Sequence, residues 1–496
     1  MIYVKVKVRT LALLLLLVMA AAGTWAACSA LPSYYFDQGQ YDKVLERYPQ
    51  HHLAQPSLFW LAEDAMSSVR TPGEGLIYVL SSGASSAGGS LPGSEELARS
   101  RDKLEAFIRQ YEGTLNVSQL KYNLGKLYFQ DREWDRAEAL FRDISELSGE
   151  TFFHSEELAK LLNILASRHE REGSAPSLEG RIVIGERPAA GAFVVLHRAD
   201  DNGWHSPPLL HERVAIADEQ GYYRFYDAEP GEYEVGAGLR PEEIDGYYLT
   251  QNDAPTVKLT EDGTGRYDIR FVPQVTVISP VNAETVEGDE LRFQWEPYEG
   301  ADYYQISMTS RYIGRDGKAT GSSVTMHLTD DKHRGTEAAY SVRELRKLHR
   351  GAGKSVDRDG NVLIVPSSLL GAVYPGGQFI WSVEAYSADG RKLSSSAGYF
   401  MDDKRAAPWF RTAEDGMQEG DRLVLQARYK EAIAAYRKQG DDDHALRVLA
   451  RFELIGIDEP WDGNPARALS YLERIKDPSP SDLELLEEMR KKAGAH

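Results

Sequence analysis

Cysteine is almost absent from this chain, and so are long apolar runs. Cys28 is the single cysteine among 496 residues, so the chain cannot form an internal disulfide. The one long apolar run covers residues 11–22, and no second run approaches the roughly 20 residues of a membrane-spanning helix. Positive charge is also scarce: 57 lysine and arginine residues stand against 76 aspartate and glutamate residues. The resulting net charge of −19 disfavours nucleic acid as a partner, because its phosphates would be repelled.

The apolar run has the surroundings of an export signal rather than of a spanning helix. Three basic residues precede it, namely Lys5, Lys7 and Arg9, and small residues lead from it to Trp25-Ala-Ala-Cys28. This pattern resembles bacterial lipoprotein signals, although Trp25 stands where an aliphatic residue is usual. The resemblance implies a signal peptide over residues 1–27, lipid attachment at Cys28 and a chain held outside the cytoplasm at a membrane. Soluble secretion and an uncleaved anchor are the alternatives.

Residues 28–172 show helical periodicity. Apolar side chains recur at Leu120, Leu124, Leu127 and Tyr128, and a second stripe begins at Trp134 after a short polar break. The break predicts two helices packed against each other, with Gly125 and Ala137 allowing a close approach. The spacing of Gly125, Tyr128, Trp134, Ala137 and Phe141 resembles the tetratricopeptide repeat. Residues 81–94, rich in serine and glycine, predict an inserted flexible loop.

The periodicity then changes to short alternating segments with turn residues between them, which predicts antiparallel strands. Residues 178–272 resemble the regulatory domain of carboxypeptidases, a transthyretin-like sandwich, and that resemblance implies a fold but no catalysis. It is carried by four motifs: Gly180-Arg-Ile, Gly191-Ala-Phe-Val, Asp218-x-x-Gly221-Tyr-Tyr-x-Phe225 and Pro230-Gly-Glu-Tyr233. Residues 273–402 resemble a fibronectin type III domain through Trp295, Ala301-x-Tyr303-Tyr304 and Trp381. Their excess length predicts an insertion between Arg311 and Val373.

Helical spacing returns over residues 408–496, where Gly420, Tyr429, Ala432 and Tyr436 again match the tetratricopeptide pattern. We therefore expect a multidomain α + β fold in which helical-repeat, tetratricopeptide-like arrays flank two antiparallel β-sandwiches. A length of 496 residues is too great for one core and agrees with several domains.

Patterns that carry catalysis are missing. His154-Ser-Glu-Glu157 has the spacing of two zinc ligands, but a catalytic zinc site needs a third ligand and an open position. Asp357-Arg-Asp359-Gly-Asn361 resembles a calcium loop without its distal glutamate, so a hairpin turn at Asp359-Gly360 explains it better. No phosphate-binding glycine loop and no Gly-x-Ser-x-Gly elbow occurs. We predict no enzyme, no metal and no cofactor.

Three groups of residues are candidates for binding. Gln119, Tyr122, Lys126 and Phe129 form a stripe beside the packed one, which in tetratricopeptide-like arrays would line a partner groove; a core position is the alternative. Trp204 and His205 lie in a long loop that could hold a sugar, unless Trp204 folds back onto the sandwich. Arg343, Arg346, Lys347 and Arg350 give a short helix, which opens with the capping-box pattern Ser341-Val-Arg-Glu344, a basic face for an anionic polymer, lipid or acidic partner. A merely solvated face is the alternative.

These features predict a non-catalytic, lipid-anchored extracytoplasmic scaffold for protein–protein interaction at the bacterial cell envelope. Its partners would be one or more envelope or secreted proteins and the membrane, through lipid on Cys28, with wall polymer as a further candidate. The location would be the cell surface or the periplasmic face. The alternative is a carbohydrate- or cell-wall-binding adaptor that uses the sandwich loops around Trp204.

Overall fold

The computed structural model describes residue 19 and residues 30–493, except 67–72, 84, 88–93, 149–151, 202, 204–207, 251–254, 262, 312–324, 329–331, 350, 352, 357–361, 400–406 and 458–462. Contacts divide the chain into two compact units. Unit 1 comprises Met1–Glu243 and Asp253–Ile269, and unit 2 comprises Ile244–Asn252 and Arg270–His496. The fold is mixed α/β, with 16 helices among the described residues and several open, mainly antiparallel sheets. Within those same ranges, no helix has the length and apolar character needed to cross a membrane.

Unit 1 begins with helices. Helix α1 covers residues 30–37. It is followed by α2 (Tyr41–Arg47), α3 (Ala54–Ala65), α4 (Ser94–Tyr111), α5 (Ser118–Gln130), α6 (Trp134–Ser148) and α7 (Ser155–Ala166). Short helices α8 (Pro208–His211) and α9 (Pro241–Ile244) come later in the chain.

Helices α5 and α6 pack closely because of one glycine. A side chain at Gly125 would overlap the ring of Phe141, which is fully buried together with Ala137. The predicted helix break at residues 131–133 is present as the turn between the two helices. A glycine on one helix thus leaves room for an aromatic ring on the next.

The strands of unit 1 form two groups. They are β1 (Ile77–Leu80), β2 (Ser85–Ala87), β3 (Leu178–Ile184), β4 (Arg187–Pro188), β5 (Phe193–Arg198), β6 (Arg213–Ile216), β7 (Tyr222–Phe225), β8 (Gly231–Leu239), β10 (Thr256–Leu259) and β11 (Gly265–Arg266). The first group runs β2-β1-β8-β5-β6, with β10 also on β8. In the second, β3 pairs with β4 and β7 in antiparallel fashion and with β11 in parallel.

The region around the predicted flexible loop contributes to this sheet. Strand β1 pairs with β8 from Ile77 opposite Leu239 to Leu80 opposite Gly236, and β2 pairs with β1. The expectation of a flexible loop over residues 81–94 was therefore wrong at β2. One core joins the helices to the sheet, because Phe129 of α5 packs against Phe193 of β5 with ring centroids 5.5 Å apart.

Unit 2 contains the remaining elements. Its strands are β9 (Tyr247–Leu249), β12 (Ile269–Pro273, whose first residue belongs to unit 1), β13 (Val277–Ser279), β14 (Glu284–Val286), β15 (Glu290–Trp295), β16 (Tyr303–Arg311), β17 (Thr325–His327), β18 (Glu337–Ser341), β19 (Lys354–Val356), β20 (Val362–Ile364), β21 (Gln378–Tyr386), β22 (Lys392–Ser395) and β23 (Trp409–Thr412). Its helices are α10 (Val342–Lys347), α11 (Pro366–Leu370), α12 (Glu419–Leu425), α13 (Tyr429–Arg437), α14 (Asp443–Ile455), α15 (Pro465–Leu472) and α16 (Pro480–Ala493).

Two sheets of unit 2 run β13-β15-β18 and β14-β23-β21-β16-β17. Trp295 and Trp381 are both buried, as their positions in alternating strands indicated. The same hydrophobic core includes Tyr436 and Phe452 from the C-terminal helices. The predicted segments 273–402 and 408–496 therefore share one core.

Candidate functional site

Several predicted site residues lie outside the described part of the chain: Cys28, Trp204, His205 and Arg350. The lipid-attachment and sugar-loop predictions therefore remain predictions. The other candidates are placed by helix α5 in unit 1 and by helix α10 in unit 2.

Helix α5 is buried on every side. The predicted groove residues Gln119, Tyr122, Lys126 and Phe129 are all at most 9% exposed. Their expected open face is covered, because the helix packs between its neighbours and the sheet rather than lining a groove. A partner could reach Tyr122, Lys126 and Phe129 only after the covering residues had moved.

Polar side chains of α5 are held by α3 and by the segment after it. Gln119 donates to Glu63 Oε1 at 3.0 Å, and Asn123 donates to the carbonyl oxygen of Ala62 at 2.9 Å. Gln130 donates to the carbonyl oxygen of Glu74 at 2.6 Å. Hydrogen bonding satisfies these buried amides and ties α5 to its neighbours. The sequence spacing of 119, 123 and 130 places them on one helical face.

A lysine and a histidine lie against Tyr122. Lys126 Nζ is 4.7 Å from the centroid of the Tyr122 ring, and the His154 ring stacks on that ring at 4.9 Å. Burial lowers the pKa of Lys126, against the opposing charges of Glu157, Glu63 and Glu74. Burial also lowers the pKa of His154, which favours its neutral form. His154 is therefore part of an aromatic stack, as well as of the His-x-x-Glu pattern.

A cavity of about 210 Å³ opens at the start of α5. Aromatic rings of Phe59, Phe152 and Phe153 line it, as do the polar residues Gln55, Asn116 and Gln119. Phe153 is 83% exposed, the highest exposure among the large apolar side chains described. The volume is below the ~300 Å³ of small-molecule sites and suits a single inserted side chain.

The rim of this cavity is fixed by hydrogen bonds. Gln55 Nε2 donates to the carbonyl oxygen of Asn116, and the Asn116 backbone N–H donates to Gln55 Oε1, both at 2.8 Å. Asn116 Oδ1 accepts from the Ser118 backbone N–H at 2.9 Å, at the start of α5. The cavity is consequently formed before any occupant binds.

The basic face predicted on α10 is largely neutralised within unit 2. Arg346 forms an ion pair with Asp421, and Lys347 Nζ lies 2.9 Å from Glu344 and 3.1 Å from Asp477. Arg343 is exposed. Arg346 and Lys347 are therefore paired with carboxylates of unit 2, which come from α12, from the segment between α15 and α16 and from α10 itself. The capping-box serine is confirmed, with Ser341 Oγ accepting from the Glu344 N–H at 3.2 Å.

Asp421 is the centre of a buried polar cluster that the sequence analysis missed. Its carboxylate accepts from Tyr436 Oη at 2.5 Å and lies 2.7 Å from His444 Nε2. Burial acts to raise the pKa of Asp421, but the hydrogen bond from His444 and the charges of His444 and Arg346 outweigh it and lower the pKa to about 2. Asp421 is 0% exposed, so its carboxylate contacts these side chains rather than solvent. No local pattern connects these four residues.

A second cavity, of about 770 Å³, lies in unit 2. Apolar side chains of Val275, Val277, Ile380 and Tyr399 contribute to its wall. Trp381 also lines it but is nearly fully buried, and its Nε1 donates to the carbonyl oxygen of Pro280 at 2.7 Å. That ring is therefore not available for stacking on a sugar. Among the residues placed by the structure, no group of three His, Cys, Asp or Glu side chains could hold a metal ion.

Comparisons with known proteins give no family. No protein-family model matches the chain, and no curated protein matches it. Among solved structures, it is similar to a DUF3823 family protein from Bacteroides ovatus at 14% identity, covering 48% of this chain and 98% of that one with a TM-score of 0.16. A DUF3823 family protein from Parabacteroides merdae gives 11% identity, 47% and 96% coverage, and a TM-score of 0.16. The three fibronectin domains FN1–FN3 of chicken CNTN1 give 11% identity, 44% and 62% coverage, and a TM-score of 0.12. Scores this low are similarities only, and neither fold nor function is inferred from them.

Proposed function

We propose that this protein is a non-catalytic, lipid-anchored extracytoplasmic scaffold that binds a partner protein through the cavity beside Phe153. The signal pattern ending at Cys28 supports the anchor and the location at a bacterial cell envelope. The partner would be an envelope or secreted protein. The cavity supports the binding role, because it joins an exposed aromatic side chain to a preformed apolar wall with fixed amides.

The observation that carries the proposal is the exposure of Phe153. A large aromatic ring left 83% in solvent loses the free energy that burial would provide. Aromatic side chains at the edge of a cavity are typical centres of protein interfaces. Gln55 and Gln119 line the same cavity, where hydrogen bonds within unit 1 hold both side chains in place.

The finer architecture is also part of the proposal. Phe141 follows Gly125 by 16 residues, and Tyr436 follows Gly420 by the same interval. In both pairs a side chain at the glycine would overlap the aromatic ring. This repeated contact supports tetratricopeptide-like helix pairs on either side of two β-sandwiches. Such helical arrays generally provide surfaces for protein contact.

The test is site-specific photo-crosslinking of the full-length protein in its native envelope. A photoreactive residue replaces Phe153 in one variant and Tyr222 in the control, which is also in unit 1 and 46% exposed. We expect one protein to be captured from position 153 in near-equal amount with the chain and to be absent at position 222.

A second variant measures the strength of the contact. Phe153→Ala should lower co-purification of the captured protein by about tenfold or more, as truncation of a central interface aromatic does. Tyr222→Ala should leave it unchanged, and the melting curves of both variants should match the parent chain. Capture of glycan without protein at position 153 would contradict the scaffold and favour the adaptor alternative, whereas equal protein capture at both positions would contradict binding at the cavity.

A further inference from the structure

Aromatic residues are concentrated at the start of the described chain. Residues 34–60 contain seven of them, whereas aromatic residues make up 10% of the whole sequence. Two of these seven side chains are strongly exposed, with Tyr34 at 58% and Trp60 at 47%. Leu31, on the same N-terminal helix as Tyr34, is also exposed. The excess of rings therefore lies on a surface rather than in a core.

The rings contact one another across α1, α2 and α3. The Phe36 and Tyr41 centroids lie 5.3 Å apart edge to face, and Tyr41 stacks on Trp60 at 6.4 Å. We call Phe36, Tyr41 and Trp60 the N-terminal aromatic surface. Leu31 and Tyr34 lie on another face of α1, because residues two apart in a helix, such as Tyr34 and Phe36, do not share a face. Tyrosine and tryptophan combine an apolar ring with a polar atom, which suits them to the interface between lipid and water.

The charges around this surface are mixed. Arg47 donates to Tyr35 Oη at 3.1 Å, and Lys43 Nζ lies 5.4 Å from the Tyr35 ring centroid. Asp37, Asp42 and Glu46 belong to the same segment. The cations are thus balanced by carboxylates, so the rings rather than net charge would provide attachment to a membrane.

The position of this surface in the chain identifies its occupant. Cys28 precedes Tyr34 by six residues, and the helix containing Tyr34 already includes residue 30. Even a fully extended chain of six residues spans no more than about 20 Å. A lipid on Cys28 would therefore keep helix α1, which contains Phe36, close to the bilayer that holds the lipid.

We propose that the N-terminal aromatic surface lies in the headgroup region of that bilayer, as a second membrane contact beside the lipid. The inference rests on the proposed lipid anchor. It also deepens the proposed function: the Phe59 ring packs edge to face on Trp60 at 5.6 Å and lines the cavity. A partner bound in that cavity would meet the protein next to the membrane surface.

The single cysteine makes a direct test possible. A lipidated Cys28 has no free thiol, so a cysteine introduced elsewhere is the one site for a fluorescent label. Full-length protein carrying Trp60→Cys or, on the other face of α1, Tyr34→Cys is purified from membranes, labelled with an environment-sensitive dye and reconstituted into vesicles of phosphatidylethanolamine and phosphatidylglycerol. Tyr222→Cys is the matched control, because Tyr222 is 46% exposed and also in unit 1.

Nitroxide on the lipid headgroups then quenches any dye at the interface. We expect quenching at position 60 to exceed that at positions 34 and 222 by about twofold or more, as burial in the interface implies. Equal quenching at all three positions would overturn the inference, including the case in which a protein rather than lipid normally covers the rings. Intact-mass measurement separates the two proposals. An unlipidated Cys28 overturns the anchor and this inference together, whereas a lipidated chain without preferential quenching overturns this inference alone.

Discussion

Gly125 and Gly420 occupy equivalent places in two helix pairs of this protein. Each faces an aromatic ring 16 residues later, and neither has a positive backbone φ that would itself require glycine. Glycine is therefore needed at both positions because a larger side chain would overlap the ring. An exposed helical glycine would normally gain about 1 kcal/mol on replacement by alanine. At Gly125 and Gly420 we expect alanine to lower stability instead.

Gly125→Ala should destabilise unit 1 by about 1–3 kcal/mol, the usual cost of overpacking a filled core. Chemical denaturation of the full chain, followed by hydrogen exchange in α5 and α6, would measure the loss. Phe141→Leu in the same chain makes room for the added methyl group and should recover part of the stability. A stabilising Gly125→Ala substitution would show that the two helices do not approach as described.

His349 of unit 2 couples stability to pH. Burial, with the nearby charge of Arg451, lowers the pKa of His349 to about 4. The unfolded chain takes up a proton near pH 6.5, whereas the folded chain does so only near pH 4. The free energy of unfolding therefore does not vary with pH through His349 above pH 6.5. As the pH falls from 6.5 towards 4, protonation of His349 in the unfolded chain lowers that free energy by about 3 kcal/mol in total.

His349→Gln should remove this share of the acid sensitivity. Urea unfolding at pH 7 and pH 4.5 would show a smaller difference for the variant than for the parent chain. His444, whose pKa is also lowered by burial, would account for part of the remaining slope. If the unfolding free energy of His349→Gln fell between pH 7 and pH 4.5 by as much as that of the parent chain, the assignment would be refuted.

Among the elements, helix α5 shows where sequence reasoning was sufficient and where it failed. Its helical period and the Gly125 contact were both predictable, because they depend on residues within one helix pair. Burial of the second face was not, since Phe193, which covers Phe129, lies 64 residues further along the chain. Residue spacing identifies a stripe of side chains but does not identify what packs on it.

Strand β1 was missed for a related reason. The run Leu76-Ile-Tyr-Val-Leu80 is bounded by Gly75 and by Ser81-Ser-Gly83, which is a strand pattern inside an otherwise helical region. That signal was available. Its partner β8 begins about 150 residues later, so the pairing itself had no local signal. Likewise, Asp421 and Asp477, which pair with Arg346 and Lys347, lie 75 and 130 residues further along the chain.

Val79→Pro should test the place of β1 in the sheet. β1 pairs with β2 on one edge and β8 on the other, and Val79 is fully buried. Proline there removes a backbone donor and strains an interior strand, so we expect a loss of about 3 kcal/mol or more. Ser85→Pro is the matched control on the edge strand β2, directly opposite Val79. Similar losses of unfolding free energy in the two variants would contradict an interior position for β1.

At the scale of the whole molecule, net charge makes a simple prediction. A chain with a net charge of −19 should not retain DNA or RNA in a gel-shift experiment, even at low salt, where phosphate attraction is strongest. A variant in which exposed Glu484 and Glu488 are replaced by lysine is run beside the parent chain in the same gel-shift experiment. The two substitutions change the local charge without altering a core residue. Retention by the parent chain that weakens steeply with added salt would disprove the prediction.

The division into two units also sets an order of assembly. Unit 1 ends with residues 253–269, which follow the first piece of unit 2 in the sequence. Strands β10 and β11, which pair with β8 and β3, belong to that last piece. The chain emerges N-terminus first during synthesis or export. Unit 1 therefore cannot complete its sheets until residues 253–269 have emerged, which happens after residues 244–252 of unit 2. A chaperone that shields the edge of β8 during this interval would occupy the place that β10 later takes.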